Sequence, residues 1–141
     1  MDIINEGLII TDDKEKMQFN LIVEMLQNTY WARKWSKETI KVAMENSMCF
    51  GVISEGKQIA YARCVTDNAT MYWLCDVVVS YEYRNQGIGK KLIHFIVTHN
   101  KLKSLMGILS SNHAKDFYKK YGFKLSVNGF MIKTADKFPI E

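Results

Sequence analysis

The passage across residues 71–92 constrains this chain most, because its longest apolar stretch runs into Arg84-Asn85-Gln86-Gly87-Ile88-Gly89 and then into an amphipathic segment. The apolar run bounded by turn residues reads as a buried strand, and the period that follows Gly87 is helical. Strand, glycine turn and helix in direct succession bring unpaired backbone N–H groups together at the helix start. Such a place attracts phosphate. The helix dipole contributes roughly 0.3–1 kcal/mol toward a nearby anion, and the glycines let backbone approach it with no Cβ between. Arg84 and Lys90 or Lys91 add positive charge.

Two common phosphate motifs do not fit this spacing. A Walker A loop requires glycine where Arg84 stands and Ser or Thr where Lys91 stands, and a dinucleotide fingerprint requires a third small residue where Leu92 stands. By itself R-x-x-G-x-G is more often a tight connection than a binding loop.

The rest of the chain supplies the frame. Residues 7–11 read as a short strand. Asp12 and Asp13 offer capping oxygens ahead of a helix in which Met17, Leu21, Met25 and Phe19, Ile22, Leu26 recur at helical spacing. Ser36 is the expected N-cap of a second helix over about residues 37–46. Residues 48–54 and 58–66 alternate around Glu55-Gly56-Lys57, which predicts a hairpin, and a turn at 67–70 leads into the strand at 71–80. A helix over about 87–99, a strand at 104–109, a helix at 114–121 and short strands near 124–127 and 130–133 complete the reading. The class is α/β (α+β) with a mixed sheet. Pro139 is the only proline and no linker-like tract occurs, so one domain over residues 1–141 is expected.

Composition narrows the function. The 19 Lys and Arg against 15 Asp and Glu give a net charge of +4, but they are scattered, unlike the clustered stripe of a nucleic-acid binder. No apolar run approaches the roughly 20 residues that span a bilayer, and no secretory leader pattern opens the chain, so the expectation is a cytoplasmic protein with no membrane partner. Cys49, Cys64 and Cys75 sit alone in apolar segments and are expected to be buried thiols. The spacing of His94, His99 and His113 suggests no metal site.

Two elements together resemble the GNAT N-acetyltransferases. Val77-Val-Val79-Ser-Tyr-Glu-Tyr-Arg84-Asn-Gln-Gly87-Ile-Gly89-Lys-Lys-Leu92 is similar to that family's strand four, pyrophosphate loop and following helix. Asn112-His-Ala114-Lys-Asp-Phe117-Tyr118-Lys-Lys-Tyr121-Gly122-Phe123 is similar to its later A-x-x-F-Y-x-x-x-G-F element. Tyr81 stands where many members carry proline, a departure that alters how rigidly the loop is entered. The resemblance implies a mostly antiparallel twisted sheet of about six to seven strands flanked by four helices and splayed between strands four and five. It implies acetyl-CoA as co-substrate, no metal, an amine acceptor on a small molecule or peptide, and compatibility with a homodimer.

Site residues follow from the same resemblance. Main chain around Arg84, Asn85, Gln86, Gly87, Ile88, Gly89 and Lys90 would hold the pyrophosphate. Val77 and Val79 would pair with the pantetheine arm as though it were a strand, with Asn112, Phe117 and Tyr118 beside it. A β-bulge near residues 76–78 would open that splay, and an N–H near Val77 could serve as oxyanion donor.

The chemistry requires a neutral amine, although alkylamines titrate near ~10.4, and a departing thiolate comparable to a cysteine thiol of about 8.5 benefits from a proton donor. Tyr118 matches the family's general acid; the alternative, a core tyrosine with a satisfied hydroxyl, suits Tyr121 better. Trp73 and Cys75 occupy positions where family members often carry a basic Glu or His. Asp76 is the lone carboxylate of the apolar strand and is either a base or amine-binding residue, or a structural hydrogen-bonding group. It resembles the aspartate of the acidic pair in polyamine acetyltransferases, with Cys75 replacing the glutamate. Strict alternation puts it on the face opposite Cys75 unless a bulge intervenes. Water as base, with catalysis by proximity, is a further alternative. Tyr30, Trp31, Trp35, Tyr72 and Trp73 are candidates to line the acceptor pocket, and core packing explains them equally well. A non-catalytic acyl-CoA-binding module is the rival to an enzyme.

Overall fold

The structure, a computed structural model, describes residues 2–135. Six strands form one sheet in sequential order: β1 (Ile3–Asn5), β2 (Leu8–Thr11), β3 (Met48–Ser54), β4 (Lys57–Thr66), β5 (Met71–Val79) and β6 (Met106–Ile108). All neighbouring pairs are antiparallel except β5 and β6, which are parallel. The parallel pair needs a crossover, and α3 (Ile88–Val97) provides it. Helices α1 (Phe19–Gln27) and α2 (Lys37–Glu45) precede β3, and α4 (Lys115–Lys119) follows β6. The mixed, mostly antiparallel sheet is the expected architecture, and the family's strands four and five are β5 and β6 here because β1 adds a strand at the front.

That extra strand was not foreseen, yet its signal repeats. Asn5 pairs with Leu8 across Glu6-Gly7, and Ser54 pairs with Lys57 across Glu55-Gly56. In both turns Glu and Gly take positive φ, between 50° and 80°, which is the two-residue hairpin geometry whose twist matches the strands. Helix starts divide similarly. The Ser36 hydroxyl accepts from Thr39 N at 3.1 Å and caps α2 as expected. Asp13 instead caps a short 3₁₀ turn at Lys14–Lys16, and α1 begins later, at Phe19, without a side-chain cap.

Each face of the sheet carries its own core. On one face Leu92, Ile93 and Ile96 of α3 pack on Phe50, Val52, Ala62 and Leu74. On the other, Ile22 and Leu26 of α1 and Ile40 of α2 pack on Cys49, Tyr61 and Val78. Fully burying one such side chain stabilises the fold by about 1.5–3 kcal/mol, so these two stripes set the seating of every helix.

The strands expected near 124–127 and 130–133 are not formed; those residues are irregular. β6 is three residues long and, among the described residues, pairs with Met71, Tyr72 and Trp73, so it offers little edge to extend. Leu125, Val127, Met131 and Ile132 are exposed as a result, while Phe130 lies against Trp73 at 5.4 Å between ring centroids. Alternating apolar residues make a strand only where an edge and a face await them.

Candidate active site

The site is built around two irregularities of β5. The first is a bulge. Tyr61 pairs with Val78 and Arg63 with Cys75, so Asp76 and Val77 together face the single residue Ala62. Asp76 takes φ of 59°, a left-handed conformation that Asp tolerates better than most residues. Before the bulge, Tyr72 and Leu74 face α3; after it, Val77 and Val79 do, and Val78 faces α1. The second irregularity is that β6 leaves β5 after Trp73, so among the described residues no strand flanks 74–79 on that side. This is the splay between the family's strands four and five.

A groove of about 660 Å³ opens along this splay, within the range of small-molecule and cofactor sites. It runs from Val77, Val78 and Val79 past Arg84, Asn85, Gly87 and Gly89 to Lys90, with Asn28, Thr29, Tyr30 and Trp31 on one wall and Phe117 on another. At its end Gly87 is the N-cap of α3, with φ of 78° and no side-chain cap bond, and no acidic residue stands in the first turn. The N–H groups of the first turn are therefore free to meet an anion. Arg84 folds back, its Nε donating to the Val79 carbonyl at 3.0 Å, with its guanidinium over the Tyr81 ring. Gln86 Nε2 donates to the Glu82 carbonyl, bracing the turn from outside. Gly89 lies against Val79 and Phe117, where a Cβ would come within 3.8–3.9 Å of both. Tyr121 Oη, donating to the Lys90 carbonyl at 3.3 Å, ties α4 to the same turn.

Tyr118 packs edge-on to Phe117 and Phe123 beside the groove and is not part of its lining. Burial pushes its phenol up to about 12, so it is a neutral O–H donor at physiological pH. Asn112 is exposed on the loop before α4 and also stands off the lining. Tyr30 meets Trp31 and His113 edge-on at 5.2 and 6.2 Å. Trp35 packs against the α1 and α2 core, away from the groove, and Tyr72 is buried on the α3 face. Trp73, half-buried, stacks at a tilt on Phe130.

The bulge turns Asp76 toward residues of the α1 and α2 side. Its Oδ2 accepts from Arg63 Nε at 2.5 Å and its Oδ1 from Trp31 Nε1 at 3.2 Å. Burial opposes the Arg63 charge, while its neighbours, Asp76 foremost, favour it, and the guanidinium's pKa is raised on balance. Cys49 and Cys64 are buried, whereas Cys75 is half-buried near Arg63, and burial lifts its thiol to about 11. The Arg63 partnership was legible in principle, since Arg63 is the one charge inside β4 beyond its first residue and Asp76 the one charge of β5. The reach of Trp31 had no local signal.

A strand-four bulge, a splayed pair of strands and an anion-ready helix start define an acyl-CoA-dependent transferase fold, and comparison with known proteins agrees. The family model described as Acetyltransferase (GNAT) domain matches residues 45–125. The chain belongs to the GNAT acetyltransferase family, whose general reaction is acetyl-CoA-dependent acetyl transfer. A structure of a putative GNAT-family acetyltransferase from Xanthomonas campestris pv. campestris superposes with a TM-score of 0.82 at 31% identity, over 85% of this chain and 86% of that one. The N-acetyltransferase ycf52 of Pyropia yezoensis is 25% identical over 107 residues, 71% of this chain and 61% of its own length. GCN5-related N-acetyltransferase 2, chloroplastic, of Arabidopsis thaliana is 31% identical over 77 residues, 53% of this chain and 30% of its own. The chain thus spans about three-fifths or less of these two curated relatives. Among the described residues no helix is long and apolar enough to cross a membrane.

Proposed function

We propose that this chain moves an acetyl group from acetyl-CoA to a primary amine of a small molecule or peptide by direct attack in a ternary complex. The observation that carries the reading is the groove that joins the uncapped start of α3 to the bulge of β5. Its residues suit the co-substrate: N–H groups and Lys90 for pyrophosphate, a strand edge at Val77 and Val79 for the pantetheine amides, and an apolar floor at Phe117. Bound there, acetyl-CoA supplies the activated acyl carbon.

In the reaction the amine nitrogen forms a bond to the thioester carbon and the carbon–sulfur bond breaks. The ammonium first loses a proton to water or a base, the attacking nitrogen loses a second as the tetrahedral intermediate collapses, and the thiolate takes up one, so one proton is released overall. The Val77 N–H, at the bulge of β5, is suited to polarise the thioester carbonyl. Tyr118 serves the departing sulfur. With its phenol near 12 against a thiol of about 8.5, full proton transfer is uphill by about 5 kcal/mol, so it stabilises the thiolate by hydrogen bonding while solvent completes protonation. Tyr30 and Trp31, on one wall, are suited to contact the acceptor.

A panel of amines, amino acids and peptides, assayed for thiol release from acetyl-CoA with acyl length varied, tests the reading. Turnover with a subset of amines is expected. Tight acetyl-CoA binding with no release across the panel would replace it with an acyl-CoA-binding module.

A further inference from the structure

We infer that Asp76 is a positioning residue: braced by Arg63, its carboxylate holds the Trp31 indole and thereby fixes the loop that walls the donor groove. The inference rests on reading that groove as the acetyl-CoA site. Asp76 is 6% exposed and sits at the bulge. Each of its oxygens has a partner, Arg63 Nε on Oδ2 and Trp31 Nε1 on Oδ1. The relay extends behind it. Arg63 Nη1 donates to Ser47 Oγ at 3.2 Å, and Ser47 Oγ donates to the Ala43 carbonyl at 2.7 Å, which roots the pair in α2.

Within residues 28–32 the neighbouring hydrogen bonds are short-range: Asn28 Nδ2 to the Glu24 carbonyl, Thr29 Oγ1 to the Leu26 carbonyl, and Ala32 N to Thr29 Oγ1. Trp31 reaches 45 residues along the chain to β5. Asn28, Thr29, Tyr30 and Trp31 all line the groove, so a shift of the indole moves an entire wall. Tyr30 carries that wall on to His113 by an edge-on contact. One buried carboxylate therefore couples the bulge, which shapes β5, to the loop that faces it.

The test is a cycle on acetyl-CoA affinity. Trp31→Phe keeps an aromatic ring and deletes the N–H; it is compared with the same change in an Arg63→Met/Asp76→Gly background. That background removes both ion-pair partners, so no charge is left buried alone, and glycine suits the left-handed backbone at 76. We expect Trp31→Phe to weaken acetyl-CoA binding about tenfold in the parent and less than twofold in the background. A change below twofold in the parent, or an equal change in both, overturns the inference. So does a loss in kcat of about a hundredfold or more for Asp76→Asn at unchanged acetyl-CoA affinity, the mark of a base. A second readout is independent of ligand. With Trp35→Phe and Trp73→Phe leaving Trp31 as the sole tryptophan, Arg63→Met/Asp76→Gly, which removes the acceptor, is expected to raise iodide quenching of its fluorescence about twofold. Unchanged quenching overturns the anchoring role. Failure of the parent protein to bind acetyl-CoA, with quenching raised as expected, would instead remove the reading of the groove.

Discussion

Gly89→Ala separates folding from binding because the two effects have opposite signs. Gly89 is the second residue of α3, and its backbone does not need a positive φ. Alanine there reduces the entropy lost on folding and stabilises the helix by about 0.5–1 kcal/mol. The new methyl meets Phe117 Cζ at 3.8 Å and Val79 Cγ2 at 3.9 Å, ordinary contact distances, so nothing must move to admit it. A gain of that size raises the melting temperature by about 2–4 °C for a domain of this length. Yet Gly89, Val79 and Phe117 all line the groove, so the methyl occupies space where the backbone should approach the ligand. Losing one charge-assisted hydrogen bond of about 1.5–3 kcal/mol corresponds to roughly ten- to hundredfold in affinity. Thermal unfolding without ligand, paired with equilibrium titration of acetyl-CoA, reads both effects on one protein. A raised melting temperature with undiminished affinity would refute the placement of the donor. A lowered one would refute the contact geometry. Gly87→Glu is a less discriminating change, since its φ of 78° penalises any side chain before a ligand is considered.

Tyr118→Phe is expected to lower kcat about a hundredfold in thiol-release kinetics while changing acetyl-CoA affinity little, and equal loss in both would assign Tyr118 to packing. Ser36→Ala removes the acceptor for Thr39 N and should cost about 1 kcal/mol in urea unfolding, with no change in acetyl-CoA affinity. At Asp67, hydrogen bonds from the Thr70 hydroxyl and from the Thr70, Ala69 and Met71 N–H groups hold the carboxylate well below its usual range. A depressed pKa stabilises the fold above the unfolded value and is lost on acidification. The urea midpoint of the parent should therefore exceed that of Asp67→Asn at pH 7 and converge on it below about pH 4. A gap independent of pH would refute that role.

What the sequence determined by itself is whatever neighbouring residues decide. The periods of α1, α2 and α3, the Ser36 cap, the hairpin at Glu55-Gly56 and the strand-to-glycine-turn at 71–89 all arise within a few positions, so all were readable. The glycine turn indicated only an anion cradle; the Phe117-Tyr118 element, arriving separately, pointed to the family. Even there local reading stopped short, because Phe117 lines the groove and its neighbour Tyr118 turns toward Phe123. Tertiary structure decided what depends on distant partners. The bulge that turns Asp76 is a mismatch between two strands and exists in neither alone. Arg63 lies 13 residues from Asp76 and Trp31 lies 45, separations at which pairing is fixed by how α1, α2 and the sheet pack. The alternating residues after 123 predicted strands that did not form, because three-residue β6 gives them little edge. A period states which side chains want burial, and only the assembled sheet states whether a surface is there to bury them.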